Sequence, residues 1–191
     1  EAPRRLAACA ILQQLAENTP TVFFVQCKEF FDLIWSPVRD SKERVRLCAA
    51  RAVSACLHDL DKRTYHLQWY CNIYNEVLIG FNMGSVEGVH GSVLVTEELL
   101  KYSGDFMLPR YKEVCVAVLS MRDHKSKTIR SSLIKLFPRL SLYCPEAYAR
   151  FYLDATIDML VTCITQEDLR AVALSTIGKL CKSMGDNLSV R

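Results

Sequence analysis

Apolar residues recur every three to four positions along nearly the whole chain, and no stretch keeps strand-like alternation for a useful length. Trp69, Ile73, Val77 and Phe81 fall four apart, with Tyr70, Tyr74 and Leu78 beside them. That stripe predicts a helix from about His66 to Phe81. Val22, Phe23, Phe30, Phe31 and Ile34 predict another from about Pro20 to Trp35. Two more are expected from about Leu108 to Met121 and from about Glu146 to Ile164.

Between these lies a second set of helices, each opened by a basic residue: Arg5, Arg46, His90, Arg130 and Arg170. Their spacings are 41, 44, 40 and 40 residues, the period of HEAT and armadillo arrays, about 40–47 residues. The copies agree beyond the anchor. Three residues on lie Ala8, Ala49, Val93, Leu133 and Ala173, and ten residues on lie Leu15, Cys56, Leu100, Leu140 and Leu180. Fifteen residues on come Pro20, Asp61, Asp105, Pro145 and Gly185. Pro and Gly there are expected to end the helix for backbone reasons.

One helical hairpin cannot bury its own apolar face, whereas stacked neighbours bury it jointly. The expected fold is therefore all-α, an α-solenoid of HEAT-type helical hairpins. Residues 1–191 are read as a single array, a leading helix plus about four hairpins, cut from a larger protein. The Gly-containing stretch Asn82–Gly88 explains the longest spacing and is expected to be a mobile surface loop.

The turns carry the most specific chemistry. In Asp40-Ser41-Lys42-Glu43-Arg44-Val45-Arg46 an Asp precedes a Val-Arg pair. Asp40 is expected to cap the following helix through backbone N–H groups, and Arg46 to reach an Asp of a neighbouring repeat. Asp123 with Arg130 and Asp168 with Arg170 repeat the theme at altered spacing, while His90 has no matching Asp. These six residues, Asp40, Arg46, Asp123, Arg130, Asp168 and Arg170, are candidates for a structural ladder. Exposed ion pairs contribute only about 0–1 kcal/mol each, so the ladder is expected to set register more than to add stability.

Composition narrows the function. Lys and Arg number 24 against 21 Asp and Glu, a net charge of +3, short of a nucleic-acid footprint. Arg39, Lys42, Arg44, Arg46 and Arg51, and again Lys125, Lys127, Arg130, Lys135 and Arg139, form basic clusters diluted by nearby acids. A solvated, ion-paired face is the first reading of them, and a polyanion site the alternative. The nine cysteines are odd in number, and no two are separated by two residues, which suits a reducing compartment, cytosol or nucleus. No apolar run reaches the roughly 18 residues that span a bilayer. His58, His66, His90 and His124 are scattered, and no catalytic, metal-binding or phosphate-loop constellation is present. Asp105-Phe106-Met107 lacks the Gly of a kinase magnesium motif, and Arg122-Asp123-His124 has catalytic-loop residue types in the wrong order. No catalytic residue, metal or cofactor is expected in this chain.

The residues themselves resemble a known family. Arg4-Arg5-Leu6-Ala7-Ala8 and Leu12 through Phe24 look like the N-terminal HEAT region of the target of rapamycin (TOR) serine/threonine kinases. Further similarity follows in order: Phe30-Phe31-Asp32-Leu33-Ile34-Trp35, Val45-Arg46 with Ala49-Ala50, Gln68-Trp69-Tyr70 with Gly80-Phe81, His90-Gly91-Ser92 with Glu98-Leu99-Leu100, Ile129-Arg130, Pro138-Arg139-Leu140 and Tyr143-Cys144-Pro145. The resemblance implies an architectural arm far from the catalytic, rapamycin-binding and FAT regions. It implies raptor-type or rictor-type subunits and other TOR segments as partners, without nucleic acid. It implies a cytoplasmic parent, peripheral on vacuolar or lysosomal membranes, acting in nutrient-responsive growth signalling. A HEAT adaptor of another family and a polyanion-binding helical array are the competing readings.

Overall fold

A computed structural model describes residues 1–62 and 67–188, with side chains as far as residue 185. Among the described residues the secondary structure is entirely helical. In chain order the helices are α1 (Ala2–Asn18), α2 (Pro20–Val25), α3 (Cys27–Val38), α4 (Glu43–Leu60), α5 (Leu67–Asn82), α6 (Val86–Tyr102), a 3-10 helix (Gly104–Arg110), α7 (Tyr111–Ser120), α8 (Lys127–Tyr143), α9 (Pro145–Phe151), α10 (Leu153–Ile164) and α11 (Glu167–Leu188). His66, the expected start of α5, lies outside the described residues.

The chain divides into two compact units, Glu1–Phe106 and Met107–Arg191. In the first, α4 packs against α1 and α3 on one side of the sequence and α6 on the other, and α5 lies along α6. Its core includes Ile34, Val45, Val53, Leu57, Ile73 and Leu99, all essentially inaccessible. In the second, α11 packs against α8, α9 and α10. There the fully buried side chains include Ile129, Leu133, Leu136, Phe137 and Leu160.

Two helices expected to be continuous are jointed. The first breaks at Gln26 (φ −100°, ψ 15°) between α2 and α3, and the second at Tyr152 (φ −127°, ψ −17°) between α9 and α10. Neither joint carries Pro or Gly. Tertiary packing of aromatic rings fits both. Phe23 and Phe30, on either side of Gln26, meet edge to face at 5.0 Å. Tyr152 meets Tyr111 at 6.1 Å. The two regions repeat one another: a long helix, an extended single-residue joint (Thr19 or Cys144), a proline opening a short helix, a second joint, then a helix of 12 residues. Proline suits the first helical position because its missing N–H is not needed there.

Two other expectations change. Gly185 does not end its helix, since α11 continues to Leu188. Nor is Asn82–Gly88 a long loop: α5 runs through Asn82 and α6 starts at Val86, leaving three residues between. Gly84 takes φ +68°, which a side chain disfavours, and Ser85 Oγ accepts the Gly88 N–H at 3.1 Å as the helix cap. Gly80, Gly88 and Gly91 serve close approach. A Cβ on Gly80 would sit 2.9 Å from the Gly88 carbonyl oxygen, and one on Gly91 would sit 2.3 Å from the Val38 carbonyl oxygen and 2.9 Å from Val38 Cγ1. Thus α5 and α3 both reach α6 through its small residues. The backbone of Val38 cannot rotate aside as a side chain can. Gly91→Ala is expected to lower stability by about 1–3 kcal/mol. Gly178→Ala, on a helix face with nothing within 4 Å, is expected to raise it by roughly 0.5–1 kcal/mol. Urea unfolding of the two variants beside the parent chain checks both signs.

Candidate functional site

Three of the five basic anchor residues, Arg46, Arg130 and Arg170, close the turn before their own helix. Arg46 Nη1 donates to the carbonyls of Asp40 (2.7 Å) and Ser41 (3.3 Å). Arg130 Nη1 donates to those of His124 (2.7 Å) and Lys125 (3.3 Å). Arg170 Nε donates to the Ile164 carbonyl at 2.9 Å. In all three the acceptor lies six residues back. The last carbonyls of a helix and the turn after it lack intrahelical donors, and a guanidinium supplies several from one planar group.

The rest of the guanidinium meets a different partner in each copy. Arg5 pairs side-on with Asp40, Nε to Oδ2 and Nη2 to Oδ1 at 3.1 Å. Asp40 Oδ1 also accepts the Lys42 N–H at 2.8 Å. Lys42 is itself the residue before α4, so Asp40 folds the turn rather than bonding the helix's own first amides. Arg46, only 4% exposed, donates from Nε to Nδ1 of buried His90 at 2.9 Å. A hydrogen-bonded series therefore runs from Arg5 through Asp40 and Arg46 to His90, tying α1, the turn, α4 and α6. In the second unit Arg130 Nη2 reaches Gln166 Oε1 at 3.2 Å. Asp123 is exposed and pairs with Arg122 at 3.3 Å, and Asp168 pairs with Lys127 at 2.8 Å. The structure thus brings Asp40 and Arg46 together, while neither Asp123 nor Asp168 accepts from Arg130 or Arg170. His90 and Gln166 are the partners that sequence reasoning missed. His90 stood in the anchor column, which was its one visible signal.

The basic clusters are partly spent. Arg39 Nη2 donates to Glu76 Oε2 at 2.6 Å and to the Glu76 carbonyl at 2.9 Å, and its guanidinium lies 5.9 Å from the Trp35 ring centre. Three of the buried cysteines are protected thiols: burial pushes Cys9 up to about 11 and Cys115 up to about 12, and raises Cys56 as well. A thiolate nucleophile needs the opposite shift. Among the described residues no group of His, Cys, Asp and Glu is arranged to hold a metal ion, and no helix is long and apolar enough to cross a membrane.

With this geometry in hand, relatives can be compared. No protein-family model matches the chain. It is 36% identical over 188 residues to "Serine/threonine-protein kinase TOR" of Oryza sativa subsp. japonica. It is 34% identical over 187 residues to "Serine/threonine-protein kinase tor1" of Schizosaccharomyces pombe, and 34% over 188 residues to the TOR kinase of Arabidopsis thaliana. The chain is similar to one segment of TOR kinases. These matches take in 96–97% of this chain but 8% of each relative's length. The similarity to TOR therefore covers the whole helical array described above and a small part of the kinases themselves.

Two outcomes follow from the Arg5–Asp40–Arg46–His90 series. The Asp40 carboxyl is held below its ordinary value, chiefly by the hydrogen bond from Arg5, with the Lys42 N–H and the charges of Arg5 and Arg46 adding to it against desolvation. A lowered folded-state pKa contributes stability that is present above the unfolded value, about 3.9, and is lost as pH falls through the folded one. Asp40→Asn is expected to be less stable than the parent at about pH 6, with the gap narrowing as pH falls below about 3.9, read by urea melts across that range. Replacing His90 by Leu strands a buried Arg46 N–H without its acceptor. That variant is expected to lose about 1–3 kcal/mol at neutral pH in the same assay.

Proposed function

We propose that the chain is a non-catalytic segment of a TOR-type kinase, folded as a stack of HEAT-type helical hairpins and used as a scaffold for assembling the kinase complex. The observation that carries this reading is the extent of the match: essentially all of this chain aligns, yet it fills only 8% of the kinases. A segment of this size, all-helical and bearing none of the kinase signature residues, contributes shape and surface rather than phosphoryl transfer.

Burial along the repeat supports the stacked reading. Six residues after the anchor lie Ala52, Thr96, Leu136 and Thr176, none more than 3% exposed; ten residues after it lie Cys56, Leu100, Leu140 and Leu180, none more than 5% exposed. The same columns in α1 hold Ile11 and Leu15, which are 59% and 42% exposed. This face is buried in α4 and α6 of the first unit and in α8 and α11 of the second, and open in α1, a pattern that suits stacked repeats within each unit. Asp40 with Arg5, and the anchor arginines with their turns, set the register of that stack. The partners proposed are a raptor-type or rictor-type subunit and other segments of the same kinase, in the cytoplasm, with the parent peripheral on vacuolar or lysosomal membranes.

The test is size-exclusion chromatography with light scattering of this chain mixed with a purified raptor-type subunit, at low and moderate salt. Co-elution that survives moderate salt is expected. Separate peaks under both conditions with both subunit types would overturn the docking role. A heparin complex that dissolves steeply as salt rises, without any subunit complex, would favour the polyanion reading instead.

A further inference from the structure

The second unit holds a cavity of about 400 Å³ lined by Arg122, Asp123, Arg130, Asp158, Thr162 and Gln166, with Met159 and Cys163 beside them. Its most unusual member is Arg130. Nη1 is committed to the two turn carbonyls, and Nη2 has a single long bond to the Gln166 amide oxygen at 3.2 Å. Nε is buried and has no hydrogen-bond partner among the described residues. Nε and Nη2 form one edge of the guanidinium, the edge that fits both oxygens of a carboxylate.

The chain supplies its own comparison. Arg5, the same anchor in the first copy, presents the same edge, Nε and Nη2, to the two oxygens of Asp40. Arg46, the anchor of the second copy, spends Nε on His90. By register the Asp40 position before the last anchor is Ile164, six residues before Arg170. No carboxylate can come from there. Gln166 stands in with a neutral oxygen on one of the two donors. That leaves the Nε–H of this edge without an acceptor among the described residues. The two acids of the cavity do not serve. Asp123 is directed to Arg122, with its side chain 90% exposed, and Asp158 is exposed without bonding Arg130. The guanidinium's charge is felt inside the cavity, where it opposes the upward push of burial on the Cys163 thiol.

We infer that this cavity receives an acidic side chain, Asp or Glu, of a protein partner, whose carboxylate displaces the Gln166 amide and pairs side-on with Nε and Nη2 of Arg130. Arg122, at the rim with its side chain half exposed, adds a second positive charge to the approach. The carboxylate is the missing counterpart of Asp40, delivered in trans. The site stands on this chain's own geometry, whichever larger protein carries it.

The experiment is side-chain nitrogen–proton NMR of the arginine Nε–H groups in the intact chain, with the Arg130 signal assigned by its loss in Arg130→Lys. The probes are a blocked Ala-Glu-Ala peptide, its Ala-Gln-Ala counterpart and sodium acetate. The Glu peptide is expected to move the Arg130 signal saturably, with the Gln peptide binding about tenfold or more weakly because its acceptor is uncharged. Gln166→Glu places a carboxylate within reach of the same edge. In that variant, shown folded by circular dichroism, the signal is expected to lie at its bound position already and to ignore the peptide. No movement with the Glu peptide in the folded parent chain would overturn the inference. So would undiminished peptide binding in Gln166→Glu, or a signal in the free protein that shifts on Asp158→Asn, which would mean that Asp158 already fills the edge. Acetate binding as tightly as the Glu peptide would overturn the assignment to a protein side chain and leave a site for small carboxylates.

Discussion

The turns of this protein depend on a cation folded back over the chain that precedes it. At the start of α4, α8 and α11 an arginine satisfies a carbonyl six residues earlier, and in two of the three it satisfies a second one five residues earlier at the same distances. The alternative for those carbonyls is water or nothing, and a packed array has little room for water. Once one edge of the guanidinium is fixed in this way, the other edge points away from its own turn. For Arg46 and Arg130 it finds an acceptor beyond that turn, His90 and Gln166. In those two the same residue closes a local turn and bonds a residue beyond it.

What the second edge meets decides how each part of the molecule behaves. Asp40 gives Arg5 a full carboxylate, and its backbone oxygen then serves Arg46. His90 gives Arg46 a neutral ring nitrogen in a site where both residues are almost inaccessible. Such a bond is costly to break because neither group can turn to solvent. Gln166 gives Arg130 least, and this is where a cavity opens. The acceptor differs from one anchor to the next: a carboxylate for Arg5, a ring nitrogen for Arg46 and an amide oxygen for Arg130.

Close packing follows the same economy. Helix α6 is approached by α5 at Gly88 and by α3 at Gly91, distances that a single added carbon would violate. These glycines lie next to His90, so the tight approach and the buried Arg46–His90 bond occupy one turn of helix. Gly88, which the sequence reading placed in a loop, is one of the small residues that let these helices come together.

Much of the architecture was legible because it is local. Apolar residues at helical spacing forced helices, and a basic anchor recurs every 40 to 44 residues. The anchor's bond to its own turn is fixed by a separation of six residues, so it too is a property of sequence. The joints at Gln26 and Tyr152 carry no breaker residue; ring packing around Phe23, Phe30 and Tyr111 accompanies them, and that depends on where other helices lie. Only the tertiary structure decided which acceptor each guanidinium found. Asp123 and Asp168 had the expected chemistry and sit at the surface, while Gln166 and His90 had the position. By itself the sequence determined the helices, their period and the closing of each turn, because those contacts lie within a few residues. The partners across helices were settled by packing, because an acceptor counts only if the backbone brings it within about 3 Å.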